Sequence, residues 1–183
     1  QRQLFLVDHA GLPLKAVLNQ LDLLGEEVVP VLREELAARR DPETPDTIPL
    51  KPGMSLRTRV SFLKKVAAGT SIGYGRTWVA PRDTWIATIP AGYADGFNRL
   101  FSNRGRVLIG GRSCPVVGRV CMDQSMVDLG EETDVKVGDE VVLMGRSGEA
   151  EIRCEEWAET LGTITYEVTC QVSPRVTRVY DPY

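Results

Sequence analysis

The chain has 183 residues, of which 43% are hydrophobic and 26% are charged, and its formal net charge is −3. This balance is typical of a soluble globular protein of one domain, with room for an appendage. The slight negative charge argues against a nucleic-acid-binding surface, and no apolar run is long enough to cross a bilayer, so we predict neither a nucleic-acid nor a membrane partner.

The N-terminal part is predicted to be helical. Apolar residues repeat at helical spacing over residues 14–24 and again over residues 28–36. The sequence "RRDPETPDTIPLKPG" follows, and its four prolines predict a linker. We therefore place an N-terminal helical segment and a proline-rich linker at residues 1–47, and a second domain at residues 48–183.

The second domain begins with the period-two alternation of a β-strand. In "MSLRTRVSFLKKV", Leu56, Thr58, Val60 and Phe62 alternate with polar residues. This pattern predicts one strand with these four side chains on the same face.

Further strands and turns follow along the chain. Strands are predicted in "TWIATIP", in "VKVGDEVVLMG" and in the closing "RVTRVYD", and "RVLIGGRSCPVVGRVCM" predicts a hairpin that turns at Gly110 and Gly111. "CEEWAETLG" predicts the one helix of this domain, ending at Gly162. The fold class is therefore mainly β: a compact β-barrel-like domain preceded by an N-terminal helical segment.

The cysteines indicate no metal site. Cys114, Cys121, Cys154 and Cys170 form no C-x-x-C pair, and the only histidine is His9. These spacings do not match those of zinc ligands. We expect reduced, partly buried thiols, which indicates a cytoplasmic protein.

Tyr74 lies between two glycines in the segment "GTSIGYGRTW". Glycine weakens a strand interior and often marks a bend or the close approach of another molecule. The segment therefore predicts one of two structures: a turn that carries a tyrosine, or a phenol presented to a ligand.

Three further segments place polar and aromatic residues beside glycines, and loops at strand ends often hold functional groups. They are "AGYADGFNR", with Tyr93, Asp95 and Arg99; "GRVCMDQ", with Arg119, Met122 and Asp123; and "GTITYEV", with Tyr166. Spacing alone leaves structural roles open. The tyrosines also fit half-buried aromatics, Met122 also fits the core, and the arginines also fit solvated strand ends.

Six segments together resemble the C-terminal β domain of alanine racemase. They are "MSLRTRV", "GYGRTW", "IPAGYADGFNR", "VGRVCMDQSMVDL", "GDEVVLMG" and "TITYEV", and they occur in the family's order from about residue 50 to the C-terminus. The resemblance implies a pyridoxal-phosphate (PLP) enzyme that interconverts L- and D-alanine. It also implies an α/β barrel domain that carries the cofactor lysine, and a head-to-tail homodimer in which the β domain covers the partner subunit's active site.

The resemblance gives Tyr74 the role of a catalytic base. Racemisation removes a proton from one face of a planar carbanion and returns a proton to the other face, so a second base must face the barrel's lysine. Tyr74 matches that second base. A free phenol has a pKa of about 10, so cationic or hydrogen-bonding neighbours have to assist it.

Other roles carry over residue by residue. Met122 matches the residue whose backbone N–H holds the substrate carboxylate, and Tyr166 matches the tyrosine that reaches the cofactor phosphate. Tyr93 resembles the tyrosine at the substrate entrance. The polar residues of the corridor leading to the site are matched by Arg99, Arg119 and Asp123.

The first forty residues resemble the C-terminal tail of a luciferase-like flavin monooxygenase. This predicts a gene fusion, with no cofactor-binding barrel within the chain and no PLP bound by the chain alone. Two functions follow. The first is a racemase-type isomerase, inactive alone and active when a barrel is supplied in trans. The second is a non-catalytic β module that self-associates or binds another protein.

Overall fold

The computed structural model describes residues 52–180 and, before them, only Pro30. The chain divides into two compact units, Gln1–Lys51 and Pro52–Tyr183. The predicted N-terminal helices and their flavin-monooxygenase resemblance lie outside the described residues. Within the described part, no helix combines the length and the apolar character that a membrane span requires.

Short strands make up most of residues 52–180. They are β1 (Leu56–Arg59), β2 (Phe62–Val66), β3 (Ser71–Ile72), β4 (Trp78–Val79), β5 (Thr84–Ile89), β6 (Arg106–Ile109), β7 (Arg112–Val117), β8 (Ser125–Gly130), β9 (Glu140–Ser147) and β10 (Ala150–Ile152). Two α-helices follow, α1 (Cys154–Leu161) and α2 (Thr165–Cys170), and short 3₁₀ turns lie at Tyr74–Arg76, Tyr93–Asp95 and Arg99–Phe101.

The main sheet curls back on itself. Its strand order is β1-β9-β6-β7-β8-β5-β2, with β10 added beside β9, while β3 and β4 form a separate ribbon. Strands β1 and β2 stand at opposite ends of this order, yet only Val60 and Ser61 separate them in the chain. Since two residues span only about 10 Å, the two ends of the sheet must lie close together. The predicted mainly β, barrel-like fold is confirmed.

The core packs inside this curl. Phe97 stacks on Phe101 with 4.9 Å between ring centroids, and Trp157 of α1 lies 4.7 Å from Phe101 and 5.5 Å from Phe97. All three rings are buried. Because edge and stacked aromatic contacts add to the burial of apolar area, this cluster fixes α1 against the loops between β5 and β6.

Several predicted elements are confirmed. The strand in "TWIATIP" is β5, and the predicted hairpin is β6 and β7, which turn at Gly110 (φ 56°) and Gly111 (φ 75°). Two successive positive φ angles are those of the tight hairpin turn that matches strand twist. The helix in "CEEWAETLG" is α1, and Gly162 caps it with φ 69° and an N–H that donates to the last carbonyls.

The prediction of one strand over "MSLRTRVSFLKKV" is wrong. β1 pairs with β9, whereas β2 pairs with β5, and the chain passes from one partner to the other at Val60 and Ser61. The backbone of Val60 bonds to Gly138 and Asp139 on one side. Val60 is buried but Phe62 is exposed, because the change of partner ends the shared face.

Two further predictions for the C-terminal part are wrong. α1 is not the one helix of the domain, because α2 follows it and contains Tyr166. The segment "RVTRVYD" forms no strand over its described residues 175–180. Instead, the Arg178 guanidinium donates to the carbonyls of Val172, Ser173 and Val176, which holds this segment in a compact bend.

The cysteines differ in burial and should differ in reactivity. All four are free, with Cys114 buried and Cys170 exposed. Burial raises the pKa of the Cys114 thiol, so little reactive thiolate forms near pH 8. With iodoacetamide at pH 8, we expect Cys170 to be alkylated at least about tenfold faster than Cys114, because the Cys170 side chain is exposed.

Timed quenching and peptide mass spectrometry measure both rates. In 6 M urea the two rates should become similar, since unfolding removes the difference in burial. Equal rates in the folded chain would contradict the burial of Cys114.

Candidate active site

Tyr74 is presented on a turn that requires glycine. The turn joins β3 to β4, and Gly73 (φ 74°) and Gly75 (φ 72°), on either side of Tyr74, both have a positive φ that favours glycine. A Cβ on Gly73 would lie 3.2 Å from the backbone nitrogen of Arg119. The Tyr74 side chain is 77% exposed. The sequence left two interpretations open: a turn that carries a tyrosine, and a phenol presented to a ligand. The structure has features of both, because the segment is a turn and the turn leaves the Tyr74 phenol exposed.

The Tyr74 turn packs on the segment that contains Met122. A Cβ on Gly118 would lie 2.8 Å from the carbonyl oxygen of Ile72, so the two backbones are in direct contact. The Arg119 side chain runs beside Gly75, with its Nε 4.0 Å from the position that a Gly75 Cβ would take. This contact brings the guanidinium group to the base of the turn that carries Tyr74.

The loop around Tyr93 is bonded to the loop around Met122. We call residues 92–99 the Tyr93 loop and residues 119–124 the Met122 loop. The Tyr93 and Ala94 N–H groups donate to the carbonyls of Cys121 and Met122, each at 3.0 Å. A Cβ on Gly92 would lie 2.3 Å from both carbonyl oxygens, so only glycine permits this approach.

Of the two backbone hydrogen-bonding groups of Met122, only the carbonyl has a partner within residues 52–180. Its carbonyl accepts from Ala94, whereas its N–H makes no hydrogen bond within residues 52–180. The Met122 side chain is exposed. A backbone N–H without a partner is a suitable donor to an anion.

A cleft opens beside the Tyr93 loop. Its volume is about 410 Å³, and it is lined by Tyr93, Gly96, Asn98, Arg99 and Gln171. Gln171 directly follows α2, so the cleft lies between the Tyr93 loop and the end of that helix.

Tyr166 is exposed and stands apart from the other predicted residues. It lies in the first turn of α2, its side chain is 78% exposed, and its hydroxyl bonds to no other residue within 52–180. The structure thus joins Tyr74, Tyr93, Arg99, Arg119, Met122 and Asp123 through contacting loops. Tyr166 lies on α2, and the cleft residue Gln171 directly follows that helix.

Three residues that connect the loops of the site were not identified from the sequence. Arg175 forms ion pairs with Asp95 and Asp123. Asn103 (φ 58°) donates to Thr77 and accepts from the Gly118 N–H, which ties the Tyr74 turn to the Met122 side. Gly92 allows the two loops to meet. Only Gly92 carried a local signal, as a glycine next to Tyr93 in the quoted segment.

Comparison with known proteins gives a consistent result. The family model described as "Alanine racemase, C-terminal domain" matches residues 53–180. The alanine racemase of Cutibacterium acnes is 53% identical over 135 residues, which are 74% of this chain and 36% of that protein. That of Chlorobaculum tepidum is 54% identical over 135 residues, which are 74% of this chain and 34% of that protein.

Solved structures agree with this. The crystal structure of alanine racemase from E. faecalis superposes with a TM-score of 0.70 at 44% identity, covering 75% of this chain and 36% of that one. The Bacillus anthracis enzyme with bound L-Ala-P gives a TM-score of 0.67 at 42% identity, covering 70% of this chain and 33% of that one. The chain spans about a third of the length of the curated relatives that it matches. By its sequence over residues 53–180 and by its fold, this chain belongs to the alanine racemase family, as a C-terminal domain.

Proposed function

We propose that this chain supplies the β-domain side of an alanine racemase active site, with Tyr74 as a catalytic base. The observation that carries the proposal is the exposed phenol of Tyr74 on a turn flanked by two glycines of positive φ. The close packing of Gly73 on the Arg119 backbone supports the turn, while the Tyr74 side chain stays accessible to a substrate. Membership of the family supplies the reaction, the interconversion of L- and D-alanine.

The residues present fit the cofactor that the family uses, PLP. The Tyr166 hydroxyl is exposed and unbonded within residues 52–180, so it is free to donate to a phosphate oxygen. When bound, PLP withdraws electrons from the substrate α-carbon and makes its hydrogen acidic. The lysine that binds PLP is proposed to lie on a barrel domain, as the family resemblance implies.

The residues of this chain would bind the substrate, transfer a proton and line the path to the site. The free N–H of Met122 donates to the substrate carboxylate and orients the α-carbon. Tyr74 takes the α-hydrogen of one enantiomer as a proton on its phenolate oxygen, and in the reverse direction its hydroxyl returns a proton to the same face and re-forms that enantiomer. A second base on the barrel domain serves the opposite face. Tyr93, Arg99, Arg119 and Asp123 line the path by which alanine arrives.

A second candidate is a non-catalytic module that self-associates or binds another protein. Exposed apolar side chains favour it. They include Tyr93, Leu100, Met122, Ile164 and Tyr166. A surface of this kind needs a covering partner, either a barrel domain or a second copy in a homodimer. A cytoplasmic location, supported by the four free thiols, belongs to either proposal.

The test is reconstitution with a separately expressed barrel domain of a racemase relative. Residues 1–183 alone should give neither the visible absorbance of bound PLP nor conversion of L-alanine, because the cofactor lysine is proposed to lie on the barrel domain. Adding the barrel domain should produce conversion in both directions, measured by an enantiomer-specific coupled assay, with the barrel domain alone as control. Conversion by the chain alone would contradict the division of tasks. A stable complex without conversion would favour the non-catalytic module.

A further inference from the structure

We propose that Arg175 is a positioning residue that clamps the Tyr93 loop to the Met122 loop and so keeps the Met122 N–H aimed at the substrate carboxylate. Its Nε forms an ion pair with Asp95 Oδ1 at 2.9 Å, and its Nη2 forms an ion pair with Asp123 Oδ1 at 2.8 Å. Asp95 belongs to the Tyr93 loop, and Asp123 directly follows Met122 in the other loop. One side chain therefore joins the two loops. The orientation of the Met122 N–H towards the substrate rests on the proposed function, whereas the contact of Arg175 with the two loops does not.

The chemistry of this contact suits arginine. A planar guanidinium presents donors in a fixed fork, so a single residue can bond two carboxylates at once. Asp95 is only 16% exposed at its side chain, and it also accepts from the Gly92 N–H at 2.9 Å. The guanidinium group is therefore held by the more buried carboxylate, that of Asp95, and it holds the more exposed Asp123 in place.

The backbone supports the same connection. The Ser173 N–H donates to the Asp95 carbonyl at 3.3 Å, and the Ser173 hydroxyl accepts from the Arg175 N–H at 3.3 Å. The segment carrying Arg175 is therefore bonded to the Tyr93 loop before the side chain reaches across. A residue held in this way is placed to fix the spacing of the two loops.

Charge gives Arg175 a second effect at the same position. Asp123 is adjacent to Met122, whose N–H is the proposed donor to the carboxylate of alanine. Without the guanidinium, the Asp123 carboxylate would stand uncovered beside that donor and repel the substrate's negative charge. Loss of Arg175 should therefore weaken substrate binding more than it slows the chemical step.

Arg175→Ala tests the inference, with Arg112→Ala as the matched control. Arg112 is as exposed as Arg175, with side chains 53% and 51% accessible, and it also pairs with an aspartate at 2.7 Å, but it touches neither loop. In residues 1–183, amide hydrogen exchange at Tyr93 and Ala94 should be about tenfold faster in Arg175→Ala and unchanged in Arg112→Ala, because local opening sets these rates. Unchanged exchange in Arg175→Ala would overturn the clamp.

The reconstituted racemase provides the second readout. Arg175→Ala should raise KM for L-alanine about tenfold and leave kcat within about threefold, the pattern of lost ground-state binding. A lower kcat at unchanged KM would indicate loss of folded enzyme and would overturn the positioning role. If Arg175→Ala does not fold, Asp123→Asn removes one arm of the clamp and should show about half of the exchange effect on a logarithmic scale.

The two proposals fail separately. If the wild-type chain shows no racemisation with a barrel domain, the proposed function fails and the aim of the Met122 N–H fails with it. The clamp is then decided by amide exchange alone. Faster exchange without any change in KM of an active enzyme would retain the clamp and overturn its effect on the substrate.

Discussion

Tyr74→Phe is expected to lower kcat for racemisation by about 10²- to 10⁴-fold in the reconstituted enzyme, with little change in KM. Phenylalanine keeps the ring and removes the hydroxyl, so only the proton transfer is lost, and general acid–base catalysis contributes an effect of this size. Both directions of conversion should fall together, because each passes through the same pair of bases. The coupled assay for L- and D-alanine measures both.

Tyr180→Phe is the matched control for this change. Tyr180 is also exposed and also carries an unbonded hydroxyl within residues 52–180, but it lies in the C-terminal segment, away from the turn. Its variant should racemise at the wild-type rate. A similar loss in both variants would show that phenols in general, and not Tyr74, are needed for folding or assembly.

Hydrogen exchange at the substrate α-carbon separates a lost base from a lost enzyme. In heavy water, Tyr74→Phe should still exchange the α-hydrogen of one enantiomer, because the base on the opposite face remains. It should fail to exchange that of the other. Loss of exchange from both enantiomers, or unchanged racemisation, would contradict the assignment of Tyr74.

Gly92→Ala is expected to destabilise residues 52–180 by about 3 kcal/mol, an overpacking effect at the upper end of the usual range. The added Cβ would lie 2.3 Å from the carbonyl oxygens of both Cys121 and Met122. These are backbone atoms, so no flexible side chain can move aside. Relief requires the Tyr93 loop to shift, which breaks the two hydrogen bonds from Tyr93 and Ala94.

Thermal unfolding followed by circular dichroism measures this effect. For a chain of this size, about 3 kcal/mol corresponds to a fall in Tm of about 10 °C. Gly53→Ala is the control, because a Cβ there meets no atom within 4 Å, and its Tm should change by less than about 2 °C. Equal Tm values for Gly92→Ala and wild type would contradict the contact between the two loops.

Local chemistry made part of the fold predictable. β5, the turn at Gly110 and Gly111, and α1 with its Gly162 cap each depend on alternation, turn residues or capping within about ten residues. The break between β1 and β2 had no such signal, because the apolar alternation continues across it while the pairing partner changes. α2 was missed because its six residues are rich in β-branched side chains and too short for helical periodicity to show.

The same distinction applies to the site. The glycines on either side of Tyr74 carried a local signal, and its side chain is exposed. Arg175 carried none, since its partners Asp95 and Asp123 lie far away in the sequence and meet it only when the loops assemble. The roles of the predicted residues come from the family resemblance, whereas their spatial connection comes from tertiary contacts that no short segment contains.

The change of pairing partner at Val60 and Ser61 also affects how this domain can be transferred between genes. β1, the first strand within residues 52–180, pairs with β9, which lies about ninety residues farther along the chain, since Leu56 lies opposite Met144. Such long-range pairing slows folding and leaves a strand edge uncovered until β9 has been synthesised. Recombination at any point between β1 and β9 would place the two paired strands in different genes. We therefore expect the domain to be transferred between genes only as a whole.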